Sequence, residues 1–138
     1  MSKQSFSKWG DSIRKMPPSK RIKMIREGVK VSHLVAACRY FGISQTGLSK
    51  LLGLSNATIA RKIKSGGRLG PMESERLTRI ALLKAEAERV FTSPDLAKSW
   101  MLEPNVALGE SPLSLLDTET GADEVRKVLV AIACGGVV

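Results

Sequence analysis

Helix-starting and helix-stopping residues recur along this chain at short intervals, and that punctuation constrains the fold more than any other feature. Ser19 is placed to cap a short helix ending near Glu27 before Gly28. Ser32 precedes a second, with Leu34, Val35, Cys38 and Phe41 on one face and Gly42 after it. Ser44 starts a third (Gln45 to Leu52) closed by Gly53, and Ser55 a fourth, with Ile59 and Ile63 on one side, closed by Gly66-Gly67. The strongest helix is expected over residues 72–91, where Leu77, Ile80, Leu83, Ala87 and Val90/Phe91 recur at helical spacing. Ser93-Pro94 and Ser111-Pro112 each set a cap before a proline at a first helical position, and Thr118 opens the last helix, with Val125, Val128, Leu129 and Ile132 as its face. Sustained alternation of period two is missing, so the expectation is an all-α fold. Residues 1–18, rich in Ser and Lys and ending in Pro17-Pro18, read as a flexible basic arm.

With only 4% aromatic residues, the core of these 138 residues must rest on Leu, Ile, Val and Ala. Cys38 and Cys134 stand far apart, which argues against a disulfide scaffold or a Cys-based zinc site and suits a reducing compartment. The longest apolar run, Val128 to Cys134, has seven residues, against the ~20 a membrane span needs. The first residues carry no apolar stretch resembling a signal peptide, so a cytoplasmic location without membrane attachment is expected. Charge divides the chain. Residues 1–70 hold 15 Lys and Arg against Asp11 and Glu27, a net +13; residues 71–138 hold 7 against 11 acids, a net −4; together they give +9. The basic block would attract a polyanion through counterion release, and the acidic block would not.

Within the basic block, Ser44 to Lys64 fits a helix-turn-helix. That motif needs a small residue where its helices cross, a Gly where the turn requires positive φ, and apolar anchors on the second helix. Ser49, Gly53, and Leu54 with Ile59 and Ile63 meet those needs. Gln45 is placed to reach a phosphate, Ser55 caps the second helix, and Asn56 lies in the first turn, which would meet base edges. Thr58, Arg61, Lys62 and Lys64 are expected on the side away from Ile59 and Ile63, although Lys62 stands where many such motifs have an apolar residue. Two amphipathic helices around a Gly also occur as plain αα-hairpins; the surrounding charge favours DNA binding.

No set of groups assembles into an active site. His33 is the only histidine and lacks a Cys, Asp or Glu partner at catalytic or ligand spacing, so it reads as a packed edge residue. The glycines of Gly66-Gly-Arg-Leu-Gly70 follow a helix, not a strand, and make no phosphate loop. No catalytic residue, metal site or cofactor is expected, and the chain does not read as an enzyme.

From Leu52 onward the chain resembles the Xre/MbcA/ParS antitoxins of type II toxin–antitoxin systems. Leu54-Ser-Asn-Ala-Thr-Ile-Ala-Arg, running through Arg68-Leu69 into Glu73-Ser-Glu-Arg-Leu-Thr-Arg-Ile80, is similar to one family signature. Trp100-Met-Leu-Glu-Pro-Asn-Val-Ala-Leu-Gly109 is similar to a second, and Ser111-Pro-Leu-Ser-Leu-Leu-Asp-Thr-Glu-Thr-Gly-Ala122 to the closing one. Glu110 departs from the pattern, where a second Gly is common. The resemblance implies a helix-turn-helix region (19–70) that binds operator DNA of the chain's own promoter as a repressor. It implies a C-terminal domain (71–138) for dimerisation and for a cognate toxin, most often an NAD+-degrading enzyme of the RES type, within a larger complex. Gly135, Gly136, Val137 and Val138 are small enough to enter a cleft. Arg76 and Arg79 would contribute to the toxin interface or pair with Glu73 and Glu75. A stand-alone transcriptional regulator, without a toxin partner, is the alternative.

Overall fold

Gly70 leads into Pro71 at a first helical position, and Glu73 puts an acid where the helix dipole favours it, so the longest helix starts there. It runs 21 residues, Pro71–Phe91, and the other elements pack around it. In the computed structural model, which describes residues 5–135, eight α-helices follow one another: α1 (Phe6–Lys15), α2 (Pro18–Glu27), α3 (Val31–Phe41), α4 (Gln45–Leu52), α5 (Asn56–Ser65), α6 (Pro71–Phe91), α7 (Pro94–Leu102) and α8 (Glu119–Ala133). A 3-10 turn, Leu113–Asp117, lies between α7 and α8. The fold is all-α, with a helix-turn-helix region packed on a C-terminal helical region. The expected stripe Leu77, Ile80, Leu83 and Ala87 is buried, and burial extends to Ser74, Thr78, Ala81, Lys84 and Ala85. α1, α2 and α4 cover α6 from the N-terminal half; α7, α8 and the 3-10 turn cover it from the other.

The N-terminal segment corrects the expectation of a flexible arm. Ser5 caps α1 by accepting from the Lys8 N–H at 3.1 Å, and Phe6, Trp9 and Ile13 form one buried stripe. A stripe of three residues is easily lost among Ser and Lys. Pro17-Pro18 does not mark a loose tail; it separates two helices, with Pro18 opening α2. Gly10 faces α6 so closely that a Cβ there would lie 2.8 Å from the Ala81 carbonyl oxygen. His33 stacks on Trp9 with ring centroids 4.2 Å apart, the packed-edge role expected of it. Burial, with Lys30 nearby, pushes the His33 pKa down.

Other starts hold or shift by two residues. Ser44, Ser55, Ser93 and Thr118 all cap as expected. α2 begins at Pro18 with Pro17, not Ser19, at the cap, and α3 begins at Val31 after Lys30 rather than Ser32. Lys30 is held in extended backbone by an isolated antiparallel bridge to Arg68, which sets where α3 can begin. Among the described residues no helix is long and apolar enough to cross a membrane.

Because Trp9 is 5% exposed and joins α1 to α3, Trp9→Ala should destabilise the protein by about 3–5 kcal/mol. Urea unfolding followed by circular dichroism measures this; a change below about 1 kcal/mol would return the segment to the status of an arm.

Candidate functional site

α4 and α5 meet at the crossing the sequence suggests. Ser49 is buried at that point: its hydroxyl donates to the Gln45 carbonyl at 2.5 Å and lies 3.2 Å from Asn56 Oδ1. Gly53 ends α4 at φ 74°, a left-handed conformation that other residues adopt only with strain. The Ser55 hydroxyl then accepts from the Thr58 N–H at 3.2 Å, capping α5. Leu48, Leu52 and Ile59 are fully buried, and Ile63 is half-buried against the same core.

The candidate DNA residues divide by exposure. Gln45, Ser55, Asn56, Arg61 and Lys64 are exposed, at the start of α4 and along α5. Thr58 is half-buried and takes a hydrogen bond from Ser55 Oγ at 2.8 Å. Lys62 does not project away from the core: its ammonium donates to the Arg68 carbonyl at 2.8 Å. The helical period explains this, since Lys62 lies three positions after buried Ile59 and so flanks the inward face. The face opposite Ile59 consists of Ala57, Ala60, Arg61 and Lys64, all exposed. Sequence reasoning passed over the two alanines. Their small size lets this face come close to another surface, and the same helical period identifies them.

The two arginines of α6 belong to this chain's own scaffold. Arg76 donates to the Leu52 carbonyl at 3.0 Å, closing the C-terminus of α4. Arg79, with its side chain 11% exposed, donates to the Leu116 carbonyl at 3.1 Å and pairs with Glu119 at 3.2 Å. Neither pairs with Glu73 or Glu75; each guanidinium is engaged within the chain. Carbonyls at helix ends lack intrahelical partners, and these two supply what the arginines take up.

In α8, Val125 and Leu129 are buried, whereas Val130 is 59% exposed and Ala133, Cys134 and Gly135 are exposed. Gly136, Val137 and Val138 lie outside the described residues. The Pro-Asn-x-x-Leu-Gly stretch is a side-chain-closed turn: Asn105 Oδ1 accepts from the N–H groups of Ala107 and Leu108 at 2.9 and 3.2 Å.

Sequence reasoning also missed a buried ionic cluster. Lys84 is fully buried, with its ammonium 3.0 Å from Glu88 Oε1 and within 5.7 and 5.3 Å of the Phe6 and Tyr40 ring centroids. Glu88 Oε2 accepts from Tyr40 at 2.9 Å and from Ser7 at 3.1 Å. Burial lowers the Lys84 pKa, and the Glu88 carboxylate opposes that; burial beside Glu88 raises the Tyr40 pKa. The i, i+4 spacing of Lys84 and Glu88 usually marks an exposed pair, and the helix pattern alone does not show that α1 covers it.

Residues 86–135 match the model of the antitoxin Xre/MbcA/ParS C-terminal toxin-binding domain, and residues 20–82 that of the antitoxin Xre-like helix-turn-helix domain. An Antitoxin Xre of Yersinia enterocolitica serotype O:8 is 31% identical over 106 residues, covering 75% of this chain and 72% of that protein. The chain belongs to the Xre/MbcA/ParS antitoxin family. A Prs ADP-ribosylating antitoxin of Sphingobium sp. is 29% identical over 134 residues, 90% of this chain and 84% of the relative. An Antitoxin Xre of Photorhabdus laumondii is 26% identical over 114 residues, 81% and 77% of the two chains. The C-terminal match is what a stand-alone regulator would lack, so that alternative is not favoured. The two matched domains part between residues 82 and 86, inside α6, so one helix serves both halves of this antitoxin. Arg79→Ala should therefore cost about 1.5–3 kcal/mol, chiefly by leaving the Leu116 carbonyl without its charged donor. Thermal unfolding checks this: an unchanged midpoint would show that the contact between α6 and the α8 start carries no stability.

Proposed function

We propose that this antitoxin neutralises an NAD+-degrading toxin of the RES type through its C-terminal region and represses its own operon through α5. The observation that carries the toxin half is the end of α8. Its first turns are anchored by Ala122, Val125 and Leu129, while Val130, Ala133, Cys134 and Gly135 lead off the core exposed. A largely apolar exposed turn is what a partner protein covers, and small residues beyond it fit a cleft that a folded surface does not. The domain's family description, and relatives named as antitoxins, support the same reading. Dimerisation through the C-terminal region would place two recognition helices on a dyad operator ~34 Å apart.

Ala133, Cys134 and Gly135 are exposed, so on removal of residues 133–138 folding and DNA binding should persist while inhibition fails. NAD+ consumption by the enzyme encoded beside the gene, with full-length or shortened protein added, is the measurement. Equal inhibition by both would move the blocking surface to the domain body, and no association with that enzyme would overturn the toxin reading.

Repression has its own test. Arg61→Ala with Lys64→Ala should weaken binding to the upstream promoter and flatten the salt dependence by about 0.9 in log–log slope for each phosphate no longer neutralised. An unchanged gel-shift titration would remove α5 from the DNA interface.

A further inference from the structure

The segments on either side of the helix-turn-helix are joined side by side. Residues 28–31, before α3, and 66–69, after α5, are held by the antiparallel bridge between Lys30 and Arg68. The Val31 N–H donates to the Gly67 carbonyl at 3.0 Å and the Leu69 N–H to the Val29 carbonyl at 2.8 Å. Lys30 and Arg68 are thus the pair without mutual backbone hydrogen bonds, the arrangement that brings opposing side chains closest on one face. Val29, Val31 and Leu69 turn inward, at 3%, 4% and 2% exposure, so the alternation of extended backbone turns Lys30 and Arg68 outward. Both are exposed.

Like charges directly opposite one another are destabilising. Residues 28–72 contain seven Lys and Arg and not one Asp or Glu, and of the two acids that border them Glu27 pairs with Lys23. Neither side chain enters an ion pair among the described residues. Arg68 spends one guanidinium nitrogen on the Gly28 carbonyl at 2.7 Å, which steadies the side chain and leaves the rest of the fork unpaired. The backbone beneath is rigid: Ser74 Oγ of α6 accepts from the Val29 N–H at 2.8 Å, and Lys62 of α5 donates to the Arg68 carbonyl at 2.8 Å. Two cations thus project from a rigid backbone just beyond the C-terminal end of α5, with the Arg68 side chain itself held.

We propose that Lys30 and Arg68 form a phosphate clamp that grips the DNA backbone beside the groove entered by α5. This rests on the DNA-binding reading of α5 and adds to it a second anchor from outside the helix-turn-helix. Phosphates relieve the repulsion within the pair and across the carboxylate-free block around it, and the pair is bonded to α5 rather than to α8. Those two facts favour DNA over an acidic protein surface. Phosphate contacts position a protein without reading sequence, so they add equally to operator and random duplex.

The test compares the full chain with Lys30→Gln and with Lys30→Gln/Arg68→Gln, using fluorescence anisotropy on the upstream promoter and on a random duplex from 50 to 300 mM salt. Each substitution should flatten the log–log salt slope by about 0.9 and weaken binding to both duplexes about five-fold at 0.15 M salt. Lys30→Gln should keep the thermal midpoint of the parent or raise it, because it removes a repulsion; this single variant guards against a folding effect of breaking the Arg68–Gly28 bond. Unchanged slopes in a chain that still depends on Arg61 for promoter binding would overturn the clamp and leave α5 as the reading helix. A parent chain that binds neither duplex would overturn the DNA reading and the clamp with it. Loss of the neighbouring enzyme from co-purification, with DNA binding intact, would assign the pair to a protein partner and overturn the proposal.

Discussion

A helix buried on nearly every side turns polar side chains toward its neighbours, and the bonds that those of α6 make set the position of most other elements. Ser74 bonds the Val29 N–H and so holds the bridged connectors. Arg76 closes the end of α4 through the Leu52 carbonyl. Arg79 takes the Leu116 carbonyl and Glu119, joining the 3-10 turn and the start of α8. Glu88, neutralised by buried Lys84, receives Ser7 of α1 and Tyr40 of α3. Apolar burial supplies most of the stabilisation but is indifferent to small slips between helices. These bonds are directional, and they fix the register.

This arrangement also explains why the two halves are not separate bodies. Arg76 and Arg79 lie one turn apart on α6, one bound to the helix-turn-helix and the other to the C-terminal region. The orientation of α4 and α5 is therefore referred, through a single rigid helix, to the same element that seats α8. Under the proposed function, this gives a defined geometry between the surface for DNA and the surface for a protein partner.

Charge is organised on the same plan. The acids of the C-terminal half are consumed partly within it, by Arg79, Arg126 and Lys127 pairing with Glu119, Asp123 and Glu124. The stretch from residue 28 to 72 has no acid to neutralise its cations, and their repulsion is tolerated because most point into water. Such a field draws in a polyanion at a distance and orients the protein before any specific contact forms.

By itself the sequence determined the helical class, the caps at Ser44, Ser55, Ser93 and Thr118, the turn at Gly53, the stripe of α6 and the family. Each depends on near neighbours: a side chain bonding a backbone N–H three residues on, a glycine relieving a local strain, an apolar period that repeats within one helix. Only the tertiary structure decided that residues 6–15 are a core helix, that Lys62 is tied to the Arg68 carbonyl, that Arg76 and Arg79 are internal braces, and that Lys84 is buried. Those outcomes depend on partners up to 81 positions away, as Ser7 is from Glu88. A long polar side chain carries the same local signature whether it ends in solvent, on a partner, or on a carbonyl that folding brings within about 3 Å, a hydrogen-bond distance. Its role is settled by the neighbours that folding sets against it.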